Sequence, residues 1–133
     1  MILVDTTVWI DFFVGRNTPY TSYLANTIEQ QEDLCLCGII LTEILQGIKS
    51  SHEQRQVKEA FNSLIYIEMT RQTFILSAEI FRTLRNKGIT IRKTVDCIIA
   101  AVAIEDNIPL LHNDRDFDHI QKYYGLPTIN LSN

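Results

Sequence analysis

The chain has 133 residues, 46% of them hydrophobic, a formal net charge of −4 and a pI of about 5.3. This composition predicts a single folded domain over residues 1–133, and it excludes a wholly disordered chain and a generally basic nucleic-acid coat protein. It does not exclude a nuclease, which can combine an acidic metal pocket with a few local cations.

The first half of the chain alternates short apolar runs with helical patterns. Consecutive apolar residues predict strands, and a period of 3.6 residues predicts helices. In chain order we expect a strand at 2–4, helices at 7–13 and 20–30, a strand at 34–37, helices at 41–48 and 52–63, and a strand at 64–67.

The second half continues this alternation. A long helix over 70–87 should bury one apolar stripe and end at Gly88, the stripe being Phe74, Ile75, Ala78, Phe81 and Leu84. Thr94 can cap a small apolar helix over 95–104. A strand at 110–112, a helix at 116–124 that Gly125 ends and a short strand at 128–131 complete the pattern.

Strands that alternate with helices predict an α/β fold with three layers. The centre should be a twisted, mostly parallel sheet of about five strands, with helices on both faces. Sites in such sheets form outside the carboxyl ends of the strands. No apolar run approaches the roughly 20 residues of a membrane span. Asp5 also interrupts the apolar start, so we expect a cytoplasmic protein without a signal peptide.

Four separated carboxylates carry most of the functional information: Asp5, Glu43, Asp96 and Asp114. Each lies where an apolar run ends, where a helix begins or among apolar neighbours. Acids that converge in a buried place repel one another, and a divalent cation would compensate that repulsion. Each acid also has an ordinary explanation: a helix cap, an exposed helix position, an acid favoured by the helix dipole, or part of a polar loop.

Several neighbouring residues extend this candidate site. Asp116 could add a further metal contact, and the hydroxyl of Thr6 could bind a metal-held water or only cap the helix. His112, close to Asp114, could support the site or only end a strand. The adjacent cations Arg92 and Lys93 precede the Asp96 helix and are the best candidates to hold a phosphate, although surface cations often serve only solubility.

The motifs of other enzyme classes are missing from the sequence. There is no phosphate-binding glycine loop, no dinucleotide-binding motif and no serine elbow of a hydrolase. The three cysteines lack zinc-site spacing and are expected to be buried thiols.

The ordered set of motifs resembles the PIN-domain ribonucleases, and within them the VapC toxins of VapBC toxin–antitoxin pairs. The resemblance covers nearly the whole chain and is carried by four motifs: residues 5–11 (DTTVWID), Glu43 on its helix, Asp96 at the start of an Ile/Ala-rich helix, and residues 113–117 (NDRDF).

The resemblance implies a PIN-like fold and an endoribonuclease that depends on Mg²⁺ or Mn²⁺ and leaves 5′-phosphate and 3′-hydroxyl ends. It assigns the catalytic role to Asp5, Glu43, Asp96 and Asp114, and metal binding to Asp5, Asp96, Asp114 and Asp116. It further implies an RNA substrate, a VapB-like antitoxin and a homodimer. Two other hypotheses remain at this point: a non-catalytic RNA- or protein-binding PIN-like module, and a phosphotransfer receiver.

Overall fold

The computed structural model describes residues 1–131, which form a parallel sheet flanked by helices. The strands are β1 (Ile2–Val4), β2 (Leu34–Cys37), β3 (Ile65–Ile67) and β4 (Leu110–Leu111). The helices are α1 (Thr6–Phe13), α2 (Pro19–Glu29), α3 (Gly38–Gly47), α4 (Ser51–Phe61), α5 (Arg71–Asn86), α6 (Thr94–Asp106) and α7 (Arg115–Tyr124). The predicted α/β class and parallel strands are confirmed.

The sheet has the order β3-β2-β1-β4, with every neighbouring pair parallel. β1 and β2 are fully buried, as continuous apolar runs in a covered parallel sheet should be. The described residues form four strands rather than about five. The predicted strand at 128–131 is reduced to an isolated bridge between Thr128 and Leu110. This segment therefore meets the edge of the sheet at one point.

The predicted apolar stripe of α5 is partly wrong. The residues that α5 buries are Thr73, Ser77, Ile80 and Leu84, while Phe74 and Ile75 are 48% and 44% exposed. α5 packs along α6, whose exposed surface is small and whose sequence is rich in alanine. Small side chains such as Thr73 and Ser77 allow the two helices to approach closely. Because these small residues face α6, the larger apolar residues of α5 point outward.

Helix α6 passes through the core and is buried on nearly every side. Its first residue is Thr94, so Thr94 does not cap it as predicted. Lys93 occupies the N-cap position without a side-chain hydrogen bond. Gly88 and Gly125 follow the last residues of their helices with positive φ, as predicted. Within residues 1–131, none of the helices has the length and apolarity needed to cross a membrane.

Candidate active site

The carboxyl ends of β1 and β4 bring two of the predicted acids to the same edge of the sheet. The backbone N–H of Asp5 donates to the carbonyl of Leu111 at 3.0 Å, which ties the residue after β1 to the end of β4. Asp114 follows β4 after two residues and is the N-cap of α7. The chain direction of parallel strands therefore produces this convergence.

Three carboxylates lie closest together: Asp96, Asp114 and Asp116. Each offers an oxygen, and these oxygens lie within 4.8 Å of one another. Asp96 comes from the first turn of α6, and the other two come from the start of α7. We call this set the acidic cluster. Asp5 does not belong to this set, although its charge acts on Asp96.

Asp96 has the most unusual environment of these acids. Its residue is 4% exposed, and its Oδ2 is buried without a hydrogen-bond partner among the described residues. Burial, together with the charges of Asp5, Asp114 and Asp116, raises the pKa of Asp96 to about 7, while the charge of Lys93 opposes the rise. A buried acid without a donor is costly unless a cation compensates it.

Asp5 and Glu43 form a second, adjoining part of the site through two threonines. Thr6 donates from Oγ1 to Glu43 Oε1 at 2.7 Å, and Thr7 donates from Oγ1 to Asp5 Oδ2 at 2.7 Å. Burial raises the pKa of Asp5, the Thr7 hydrogen bond opposes that rise, and the charge of Glu43 adds to it. Asp5 occupies the N-cap position of α1, where backbone hydrogen bonds from Thr6 and Thr7 also oppose the rise of its pKa.

Arg92 contacts the acidic cluster directly. Its Nε lies 3.2 Å from Asp116 Oδ2, one terminal nitrogen lies 3.2 Å from Asp114 Oδ1, and its backbone N–H donates to Asp116 Oδ2 at 3.3 Å. The side chain nevertheless stays 66% exposed. The sequence placed Arg92 near the site, but as a residue for RNA rather than as a partner of the acids. Within residues 1–131, Lys93 forms no salt bridge.

His112 supports the loop that carries Asp114. Its Nδ1 accepts the backbone N–H of Asp114 at 3.1 Å, and its ring packs on Phe117. Burial lowers the pKa of His112, which favours the neutral ring. The imidazole and Asp118 are 3.9 Å apart. His112 therefore fixes the backbone of the loop, one of the two roles that the sequence left open.

A hard divalent cation fits this donor set. The acidic cluster offers only oxygen ligands, which Mg²⁺ and Mn²⁺ prefer. One oxygen of Asp114 and one of Asp116 accept hydrogen bonds from protein donors. The buried Oδ2 of Asp96 has no such partner in the part of the chain that the structure describes. The orphaned oxygen is the observation that distinguishes this set from an ordinary group of surface acids.

A large groove among the described residues lies elsewhere. It measures about 620 Å³ and is lined by aromatic side chains, among them Trp9, Phe12, Phe13 and Phe61. None of the acids of the site lines it. A polymeric substrate binds across an open surface, so the acids rather than the groove define the candidate active site.

The sequence identified the acids of the site better than the side chains that form hydrogen bonds with them. Asp116 was a secondary choice but is 7% exposed and belongs to the acidic cluster. The spacing of Asp114 and Asp116 at a helix start was the available signal. No local pattern signals the bond between Thr6 and Glu43 or the contacts of Arg92, since those partners are separated by 22 to 37 residues.

Comparisons with known proteins agree with this geometry. Residues 2–123 match the PIN domain. The chain is 30% identical over 128 residues to ribonuclease VapC11 of Mycobacterium tuberculosis, covering 95% of this chain and 96% of that one. It is 32% identical over 124 residues to ribonuclease VapC1 of Methanocaldococcus jannaschii, covering 92% and 82%.

Solved structures with the same fold include chains of two VapBC complexes. One is VapBC2 of Rickettsia felis, bound to a promoter DNA fragment, with a TM-score of 0.77, 21% identity, and coverage of 99% of this chain and 100% of that one. The other is VapBC-1 of nontypeable Haemophilus influenzae, with a TM-score of 0.75, 21% identity and 98% coverage of both chains.

Proposed function

Because the chain belongs to the PIN domain family, we propose that it is a metal-dependent endoribonuclease and the toxin of a type II toxin–antitoxin pair. The curated relatives at 30% and 32% identity are named ribonucleases. The observation that carries the proposal is the acidic cluster beside Asp5, in which the buried Oδ2 of Asp96 has no hydrogen-bond partner among residues 1–131. The substrate is RNA, and the site of action is the cytoplasm.

The proposed site contains Asp5, Glu43, Asp96 and Asp114 as catalytic acids, with Asp116 as an additional metal ligand. Mg²⁺ or Mn²⁺ is the proposed cofactor, since all donors are carboxylate oxygens. When bound, such a cation would neutralise charge on the phosphate and lower the pKa of a water. These acids would bind the cation, so the negative cluster would no longer repel the RNA backbone.

The chain's other residues have supporting roles in this proposal. Thr6 orients Glu43 through a short hydrogen bond, and His112 fixes the backbone at Asp114. Lys93, at the N-cap of α6, is exposed and without a salt bridge among residues 1–131. We assign it to the phosphate backbone of the substrate. Residues 1–133 act as one domain.

The antitoxin partner would bind beside α1. Ile10, Phe13 and Val14 are 42%, 42% and 67% exposed there. All three line a second groove of about 440 Å³, and Phe13 also lines the large aromatic groove. Exposed apolar patches bordered by polar residues mark protein interfaces. The structural neighbours were solved as VapBC complexes, which is why we assign this surface to a VapB-like antitoxin.

A homodimer would use a different surface, on α5. Phe74 and Ile75 project outward beside a groove that Ala78, Phe81 and Ile98 help to line. These side chains are apolar, yet the fold of one chain does not bury Phe74 or Ile75. A second copy of the chain would cover them, as an interface that pairs with itself does in a two-fold dimer.

Purified protein incubated with total RNA tests the proposed function. We expect cleavage that requires Mg²⁺ or Mn²⁺, that EDTA stops, and that leaves 5′-phosphate and 3′-hydroxyl ends. Asp96→Asn should abolish cleavage, whereas Asp106→Asn, the same change at the exposed end of the same helix, should preserve it. RNA binding without cleavage by the wild type would instead support the non-catalytic module.

A further inference from the structure

Arg92 is a cationic side chain in contact with the acidic cluster, and a metal site does not require one. Residues 87–93 connect α5 to α6, and within them Ile91 is buried while Arg92 and Lys93 are exposed. The buried Ile91 and the bond from the backbone N–H of Arg92 to Asp116 fix where the Arg92 side chain begins. From this anchored point the guanidinium reaches two carboxylates of the acidic cluster.

The guanidinium shares acceptors with the backbone. Asp116 Oδ2 accepts both the backbone N–H and the Nε of Arg92, and Asp114 Oδ1 accepts the N–H of Asp116 and a terminal nitrogen of Arg92. The backbone donors already orient both carboxylates. The side chain of Arg92 therefore mainly adds a positive charge, which offsets the mutual repulsion of the acids.

We propose that the side chain of Arg92 is the built-in counter-ion of the acidic cluster and that it competes with the divalent cation for Asp114 and Asp116. This inference rests on the proposed function, because it takes the cluster as the metal site. The exposure of the guanidinium is what makes exchange feasible. The two carboxylates are only 15% and 9% exposed, but the guanidinium is 66% exposed. Solvent and salt therefore reach and weaken the pair from the arginine side, so a doubly charged ion can displace the guanidinium without rearrangement of the fold.

The competition has two consequences that a simple structural role does not have. Without a divalent cation, Arg92 stabilises the folded protein, because it relieves repulsion between acids. In the presence of the cation, the same guanidinium lowers the apparent affinity for the ion. Removal of the side chain should therefore make the metal-free protein less stable and the metal bind more tightly.

Titration of Mn²⁺, followed by the electron paramagnetic resonance signal of the free ion, measures the affinity directly. We expect Arg92→Gln to bind Mn²⁺ about two- to fivefold more tightly than the wild type, the range that a weak exposed ion pair implies. The variant keeps the backbone N–H, so the orientation of Asp116 is preserved. Thermal unfolding should show a lower Tm than the wild type in EDTA and a larger rise on addition of Mn²⁺.

Lys93→Gln is the matched control, since it removes the same charge from the adjacent residue without removing a salt bridge. The charge of Lys93 also acts on Asp96, so the Lys93→Gln variant measures the general electrostatic effect alone. An affinity gain in Arg92→Gln no larger than in Lys93→Gln, or weaker Mn²⁺ binding, would overturn the inference. These outcomes do not depend on RNA cleavage: tight Mn²⁺ binding without cleavage by the wild type contradicts the proposed function instead.

Discussion

Replacement of Asp96 by asparagine should stabilise the metal-free protein above pH 7 while it abolishes cleavage. In the folded chain, burial and the neighbouring acids raise the pKa of Asp96 from 3.8 to about 7, whereas in the unfolded chain the group keeps its ordinary value. Between those values the folded protein holds a proton that the unfolded chain has lost. Stability therefore falls as the pH rises from about 4 to about 7, and the loss is complete above that range.

The difference between 3.8 and about 7 is roughly 3 pH units, which corresponds to about 4 kcal/mol at full ionisation. Asparagine avoids that loss but leaves a buried amide without a partner, at a cost of about 1–3 kcal/mol. We therefore expect Asp96→Asn to raise the free energy of unfolding at pH 8 by about 1–3 kcal/mol, or roughly 3–10 °C in Tm. At pH 4 to 5 the gain should disappear.

Calorimetry in EDTA at pH 5 and pH 8 measures this effect, with Asp106→Asn as the control. Asp106 ends the same helix and is exposed, so its replacement should change Tm little at either pH. An excess of Mn²⁺ should stabilise the wild type and leave Asp96→Asn nearly unchanged, because a ligand stabilises only the state that binds it. Equal pH dependence of the wild type and Asp96→Asn would refute this account of the buried acid.

Four other predictions follow from single contacts. Thr6→Val should reduce cleavage about fivefold to tenfold, because it removes the hydrogen bond to Glu43. Thr6→Ser keeps the hydroxyl and should cleave at the wild-type rate, so equal rates in the two variants would contradict the role of Thr6 in orienting Glu43. Leu84→Ala should lower the free energy of unfolding in urea by about 2–5 kcal/mol, because Leu84 is fully buried, and Leu84→Met by less than about 1.5 kcal/mol. Phe74→Glu, but not Phe74→Leu, should give monomers in light scattering; a dimeric glutamate variant would place the interface elsewhere. Phe13→Glu, but not Phe13→Leu, should weaken antitoxin binding at least tenfold in calorimetric titration while cleavage persists.

The sheet was predictable because its signals are local. β1 and β2 have the bounds that their apolar runs predicted, Ile2–Val4 and Leu34–Cys37. The positions of Asp5 and Asp114 after strands were also visible in the sequence, and the parallel topology then brings them to one edge. Strand-end acids in an α/β pattern therefore contain enough information to locate a candidate site.

The remaining features depend on partners that are distant in sequence. The buried face of α5 is set by close contact with α6, so Phe74 and Ile75 point outward although they belong to the apolar stripe. Up to residue 131, the last that the structure describes, the chain after β4 makes only one bridge to the sheet edge, and this limit is not visible in its apolar residues. The pairing of Arg92 with the acids likewise depends on how a connecting segment is anchored.

The burial of α6 has a consequence for altering the protein's choice of RNA. The alanines at 100, 101 and 103 have no exposed surface, so a larger side chain there would push the helix and carry Asp96 out of place. Efforts to redirect target selection should therefore leave this helix intact and vary exposed residues that make none of the hydrogen bonds of the site, such as 15–17. Target selection could then change while the chemistry stays the same.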